Sequence, residues 1–99
     1  PKTWLELAVE IHASLVEAVA SFLIEQGSPG VIQEELAGRP QRKKERIIAY
    51  FPNDRGFRTK EKKIRAFLLS VSQLHPSSFT FHHRIIKEEK WAEAWKSHF

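Results

Sequence analysis

The sequence contains no cysteine. That absence excludes disulfides, thiolate metal centres and cysteine nucleophiles together, and it suits a reducing compartment. No apolar run approaches the roughly 18–20 residues that a bilayer-spanning helix needs. Pro1-Lys2-Thr3-Trp4 leads into a strand-like pattern and holds no signal-peptide core, so the expected location is the cytoplasm, away from membranes. Glycine is scarce, with only Gly27, Gly30, Gly38 and Gly56. A nucleotide or S-adenosylmethionine site wants a glycine-rich turn running from strand into helix. Gly27 and Gly30 follow a helix pattern and precede a strand, the wrong order, so no cofactor-binding site is expected.

What is present describes one small domain. The 99 residues are 41% hydrophobic, 11% aromatic and 28% charged, a composition of soluble globular domains. A chain of this size buries about 60–70% of its unfolded surface, enough for a core without staples. The net charge is +4, and the cations come in two runs. Arg39, Arg42, Lys43, Lys44 and Arg46 form one; Arg55, Arg58, Lys60, Lys62, Lys63 and Arg65 form the other. Such runs can meet nucleic acid, but a flexible loop and a solvated helix face are the plainer reading.

Hydrophobic periodicity sets the elements. Leu5, Leu7, Val9 and Ile11 alternate with Trp4, Glu6, Ala8 and Glu10, which predicts a half-buried strand over 3–11. Ser14 and Glu17 have capping-box spacing, so a helix follows, with Leu15, Val19, Phe22 and Leu23 on one stripe. Gly27 supplies its left-handed stop, and Gly27-Ser28-Pro29-Gly30 is a turn. A second strand is expected over 31–36, a basic loop over 37–45 and a third strand over 46–51. A second helix runs from about Thr59 to Leu74 on Ile64, Phe67, Leu68 and Val71, closed by Pro76. The fourth strand covers 79–86, with Phe79, Phe81, His83 and Ile85 on one face. The last helix spans 88–99, with Trp91, Trp95 and Phe99 on one side.

The order strand, helix, strand, strand, helix, strand is that of two split βαβ units. The expected fold is therefore α+β: a ferredoxin-like two-layer sandwich of βαββαβ order, a four-stranded antiparallel sheet with both helices on one face, plus a C-terminal linker helix. That last helix ends at Phe99 with no glycine, proline or cap. The expectation is a chain cut inside an element, with an aromatic stripe that a small sandwich does not fully cover.

The search for chemistry is mostly negative. His82 and His83 are neighbours on a strand and face opposite ways; His12, His75 and His98 stand alone, so no metal site is expected. Glu34-Glu35 diverge for the same reason, and Glu88-Glu89 suit a helix N-terminus. Ser77 and Ser78 with His75 and His82 match no nucleophile motif. No catalytic residue is assigned. An RNA-recognition module shares this fold and needs outward aromatics on the first and third strands. Trp4 and Tyr50 could serve, but 46–51 lacks the basic-glycine-aromatic signature of that strand. Direct RNA binding through the sheet is thus the alternative reading rather than the first.

Four segments carry a resemblance. They are Trp4-Leu5-Glu6, Gly30-Val31, Ala49-Tyr50-Phe51-Pro52-Asn53-Asp54, and the closing Trp91-Ala92-Glu93-Ala94-Trp95-Lys96-Ser97-His98-Phe99. They are similar to the N-terminal region of ribosomal protein L-eleven methyltransferases over essentially the whole chain. Lys90 departs from the family, which usually has an acidic residue there. The resemblance implies a substrate-recognition domain over 1–87. It also implies that 88–99 begins a linker helix, with Trp91, Trp95, Lys96 and Phe99, toward a separate S-adenosylmethionine-binding domain. The parent would be a protein methyltransferase, a transferase that modifies lysine and N-terminal amines of one large-subunit ribosomal protein. These 99 residues alone would be inactive. Trp4, Glu6, Ala8 and Tyr50, on the helix-free sheet face, are the candidate contacts to the substrate protein. The catalytic domain would be a partner in cis. The aromatic stripe, left uncovered, would favour a homodimer through the C-terminal helix.

Overall fold

Alternation along the strands and 3.6-residue stripes along the helices produce two layers in the computed structural model, which describes residues 2–36, 43–74 and 78–98. The elements are β1 (Thr3–His12), α1 (Val16–Glu25), β2 (Val31–Glu35), β3 (Lys44–Pro52), α2 (Phe57–Leu74), β4 (Thr80–Lys87) and α3 (Glu88–His98). The sheet order is β2-β3-β1-β4, and every neighbouring pair is antiparallel. This is the ferredoxin-like sandwich. Among the described residues no helix is long and apolar enough to cross a membrane.

The core lies between the sheet and the α1/α2 layer. Leu7, Val9 and Ile11 of β1, Leu23 of α1, Ile47 and Phe51 of β3, and Leu68 of α2 are wholly buried there. Phe22 of α1 stacks on Phe67 of α2 with centroids 4.1 Å apart, joining the two helices above the sheet.

Several boundaries differ from expectation, each for a physical reason. The Ser14–Glu17 capping box does not form. Residues Ala13–Leu15 make a 3₁₀ turn, and the Ser14 amide and hydroxyl both donate to His12 Nδ1, at 3.2 and 2.8 Å. Helix α1 therefore starts at Val16, with Leu15 at its N-cap and no side-chain cap. β2 stops at Glu35 instead of Leu36. β3 begins at Lys44, because β1 still offers Ile11 and His12 as ladder partners for Glu45 and Lys44. Helix α2 begins at Phe57, whose ring is buried against Phe51, after Asp54 Oδ1 accepts the Gly56 amide at 2.9 Å. β4 is shifted by one residue. Gly27 does carry the expected positive φ, 114°. The expectations for residues 37–42, Pro76 and Phe99 lie outside the described residues.

Helix α3 was expected to project from the sandwich or to pack only partly on it, and it does the second: its aromatic side turns back onto the helix-free sheet face, where Trp91, Ala94 and Trp95, all partly buried, pack against Trp4, Ile32, Tyr50 and Ile86.

Candidate functional site

The face of the sheet away from α1 and α2 has an apolar end and a charged end. Period two in β1 puts Trp4, Glu6, Ala8 and Glu10 on it. The ladder sets Tyr50 and Arg84 on either side of Glu6, Ile48 and His82 beside Ala8, and Arg46 and Thr80 beside Glu10. The expected grouping of Trp4, Glu6, Ala8 and Tyr50 on one face is therefore what the register produces.

Their accessibility is not as expected. Trp4 and Tyr50 were read as outward-facing, yet Trp4 is 8% and Tyr50 2% exposed. The cause is α3. The Trp91 ring lies on Trp4 with centroids 4.0 Å apart and planes 6° from parallel. Trp95 continues the stack at 6.3 Å from Trp91. The aromatic stripe that was expected to stand open is thus covered in cis on its Trp91 side.

Glu6 joins the two ends. Its Oε2 accepts the Tyr50 hydroxyl at 2.9 Å, and its Oε1 accepts Arg84 Nε at 2.7 Å. Burial, then the hydrogen bond to Glu6 and the charge of Glu6, push the Tyr50 phenol well above its ordinary range. The same carboxylate raises Arg84 further, through its hydrogen bond and its charge. Beyond this triad, Arg46 bridges two strands, 3.7 Å from Glu10 on β1 and 3.3 Å from Glu34 on β2. Thr80 donates to Glu10 from the other side.

Two hollows flank Glu6 and Arg84. One, of about 510 Å³, runs over Ala8, Ile48 and His82 toward Glu10 and Arg46. The other, of about 620 Å³, lies between β4 and α3, walled by Lys90, Glu93 and Ser97. Both mix paired charges with aliphatic floor. This arrangement has the chemistry to contact a polar chain.

Among the described strand-to-helix turns, the one at Asn53–Gly56 is the one that contains a glycine. Its amide is already taken by Asp54, and a Cβ on Gly56 would sit 3.3 Å from that carboxylate.

Against this geometry the comparisons are decisive for family. The family model described as ribosomal protein L11 methyltransferase (PrmA) matches residues 3–99. The chain belongs to that family. The protein so named from Streptococcus uberis is 32% identical over 99% of this chain, and one from Staphylococcus aureus is 30% identical over 97%. The chain spans 36% of the length of either relative. Among solved structures, an apo nitrogen regulatory PII-like protein from Thiomonas intermedia superposes with a TM-score of 0.63 at 15% identity, over 85% of this chain and 91% of that one. A putative PII-like signaling protein from Thermus thermophilus gives 0.57 at 9% identity, over 86% and 87%. These likenesses bear on the fold alone.

Sequence reasoning placed Glu10 on this face without making it a candidate contact, and it missed Arg84 and Arg46 as members. The signal was there for Arg84, which shares one side of β4 with His82 and Ile86, opposite Phe81, His83 and Ile85. Arg46 needed the register. The two adjacent histidines do diverge: His83 Nδ1 meets Glu61 Oε2 of α2 at 2.7 Å, while His82 lines the first hollow.

Proposed function

We propose that residues 1–87 are the substrate-recognition domain of an S-adenosylmethionine-dependent protein methyltransferase acting on a large-subunit ribosomal protein. In this reading 88–99 begin the linker to a catalytic domain elsewhere in the parent enzyme. The observation that carries it is the pairing of a family match over the whole chain with coverage of about a third of the relatives. A part that lacks a cofactor cradle but offers a polar, grooved sheet face suits binding rather than chemistry. The substrate protein meets Glu6, Ala8 and Arg84 in the grooves. Trp4 and Tyr50 act from beneath α3, as the floor that fixes Glu6. Trp91, Trp95, Lys96 and Phe99 lead onward to the catalytic domain, which brings the cofactor to the lysine and N-terminal amines. The parent works in the cytoplasm, where ribosomal proteins are made.

The test is capture of purified large-subunit ribosomal proteins by the immobilised chain. One protein should be retained, and Glu6→Ala with Arg84→Ala should weaken that retention. Retention of none, or retention indifferent to both changes, would refute the assignment of this face. Calorimetric titration with S-adenosylmethionine should give no heat; micromolar binding by the chain alone would contradict the division of labour. The RNA-recognition alternative places stacked bases on Trp4 and Tyr50, and the burial of both rings disfavours it.

A further inference from the structure

The sandwich separates its charges by layer. On the sheet face the cations are matched: Arg46 to Glu10 and Glu34, and Arg84 to Glu6. On the helix layer they are not. Helix α2 carries Arg58, Lys60, Lys62, Lys63 and Arg65 against one carboxylate, Glu61, and that carboxylate is turned to His83 on β4. Among the described residues, no carboxylate lies within ion-pair distance of Arg55, Arg58, Lys62 or Lys63, and all four are exposed.

Position on the helix sharpens this. Phe57, Ile64, Leu68 and Val71 are buried and define the inner side of α2. At 100° per residue, Arg58, Lys62 and Arg65 fall on one outward stripe, spanning about 10 Å of helix axis. Arg65 is held in place by Phe81, its guanidinium 4.7 Å from the ring centre. The first turn of α2 has no acidic residue and begins with cations, the arrangement that the helix dipole disfavours. A stability argument gives no reason for that placement.

The geometry points to the outer face of α2 as a docking surface for the phosphate backbone of RNA. Protein interfaces are depleted in lysine and centre on aromatic anchors. Helix α2 has three lysines among its five cations, and the aromatic neighbour of this stripe, Phe81, lies half-buried under Arg65. Unpaired, long-stemmed cations beside a lone exposed leucine, Leu69, rather than an aromatic anchor are the footprint of backbone contact, which positions a partner without reading sequence. The choice of RNA as the occupant rests on the proposed function, since a ribosomal protein substrate is made to sit on RNA. The sequence reading allowed nucleic acid at this run but preferred a solvated face, and it placed its RNA-recognition alternative on the sheet. The surface inferred here is the opposite one, so both partners can bind together.

The experiment is fluorescence anisotropy of a labelled RNA duplex with the chain, across a salt series and with no ribosomal protein present. Four phosphate contacts give a slope of log K against log salt of about −3 to −4. Arg58→Gln with Lys62→Gln should make the slope shallower by about two and weaken binding at 0.1 M salt by roughly 30–100-fold. Circular dichroism should show the fold intact, because both side chains are exposed. Lys2→Gln, a cation outside α2, should leave the slope unchanged. A flat salt dependence, or a double variant that binds as the parent does, would overturn the proposal. Equal affinity for polyglutamate would overturn RNA in favour of an acidic protein. Because the assay omits the protein substrate, failure here and failure of the capture experiment are separate results.

Discussion

Replacing Trp91 by alanine removes one ring of the stack that holds α3 on the sheet. Covering about 150 Å² of that ring contributes about 4 kcal/mol at 25 cal/mol per Å². Stacking on Trp4 at 4.0 Å adds about 1 kcal/mol. Against this stand two buried indole N–H groups, those of Trp4 and Trp91, for which no acceptor lies in reach among the described residues. Each costs about 1–3 kcal/mol when withdrawn from water. The balance leaves the Trp91 contact contributing no more than about 3 kcal/mol to the docking of α3, which is roughly a hundredfold in the hydrogen-exchange protection of its amides. The core on the other sheet face does not touch this cluster. Trp91→Ala should therefore free the α3 amides, and Trp4 emission should shift to the red. The amides of β1 and β3 should keep their protection. An isolated helix of 11 residues is marginal in water, so far-UV helicity should fall as well. If the substitution instead unfolds the strands together with α3, the cluster is part of the core, and the picture of a separately docked linker is wrong.

Tyr50 is the sole tyrosine, so its ionisation can be followed by absorbance near 295 nm. Its native pKa is raised by burial and by Glu6; the stability this represents is complete below the unfolded value, about 10, and is lost as pH rises above it. No phenolate should appear in the native chain at pH 10–11, whereas the denatured chain titrates near 10; a native midpoint at 10 would contradict the burial. Tyr50→Phe should cost about 1 kcal/mol in urea unfolding, and Glu6→Ala about 1–3 kcal/mol, because it leaves the phenol without its acceptor. The double variant should cost less than the sum, and strict additivity would mean that the hydrogen bond contributes nothing. Gly27→Ala should destabilise by about 1–3 kcal/mol, since φ of 114° is strained for any side chain; an unchanged urea midpoint would show that the turn relaxes.

How far the sequence reaches depends on the range of the interaction. Strand β1 was legible because alternation is a local property: each of Leu5, Leu7, Val9 and Ile11 differs from its neighbours, and burial follows residue by residue. The α1 and α2 stripes were legible for the same reason. The start of α1 was not, because two local donors competed. Ser14 could cap the helix or turn back to His12, and the imidazole acceptor was the nearer. The start of β3 depended on how far β1 extends as a partner, which is a matter of two strands and not one.

The candidate site shows the same limit more clearly. Period two placed Trp4 on the helix-free face, and 3.6-residue spacing gave α3 an aromatic side, but neither pattern names the surface that receives it. Each exposed apolar group was assessed alone, and each lacked a cover. Brought together they cover one another: Trp91 closes over Trp4, and Tyr50 loses its solvent. The same step changes what the face can do. With its aromatic end closed, the accessible part is the charged end, where Glu6 is held by Tyr50 from below and by Arg84 from the side. On the proposed reading, a helix docked over so much of a binding face makes the two functions interdependent. Whatever draws α3 away exposes Trp4 and loosens the floor beneath Glu6, so the path of the proposed linker and the affinity of the sheet for its proposed partner would be coupled through one pair of stacked rings.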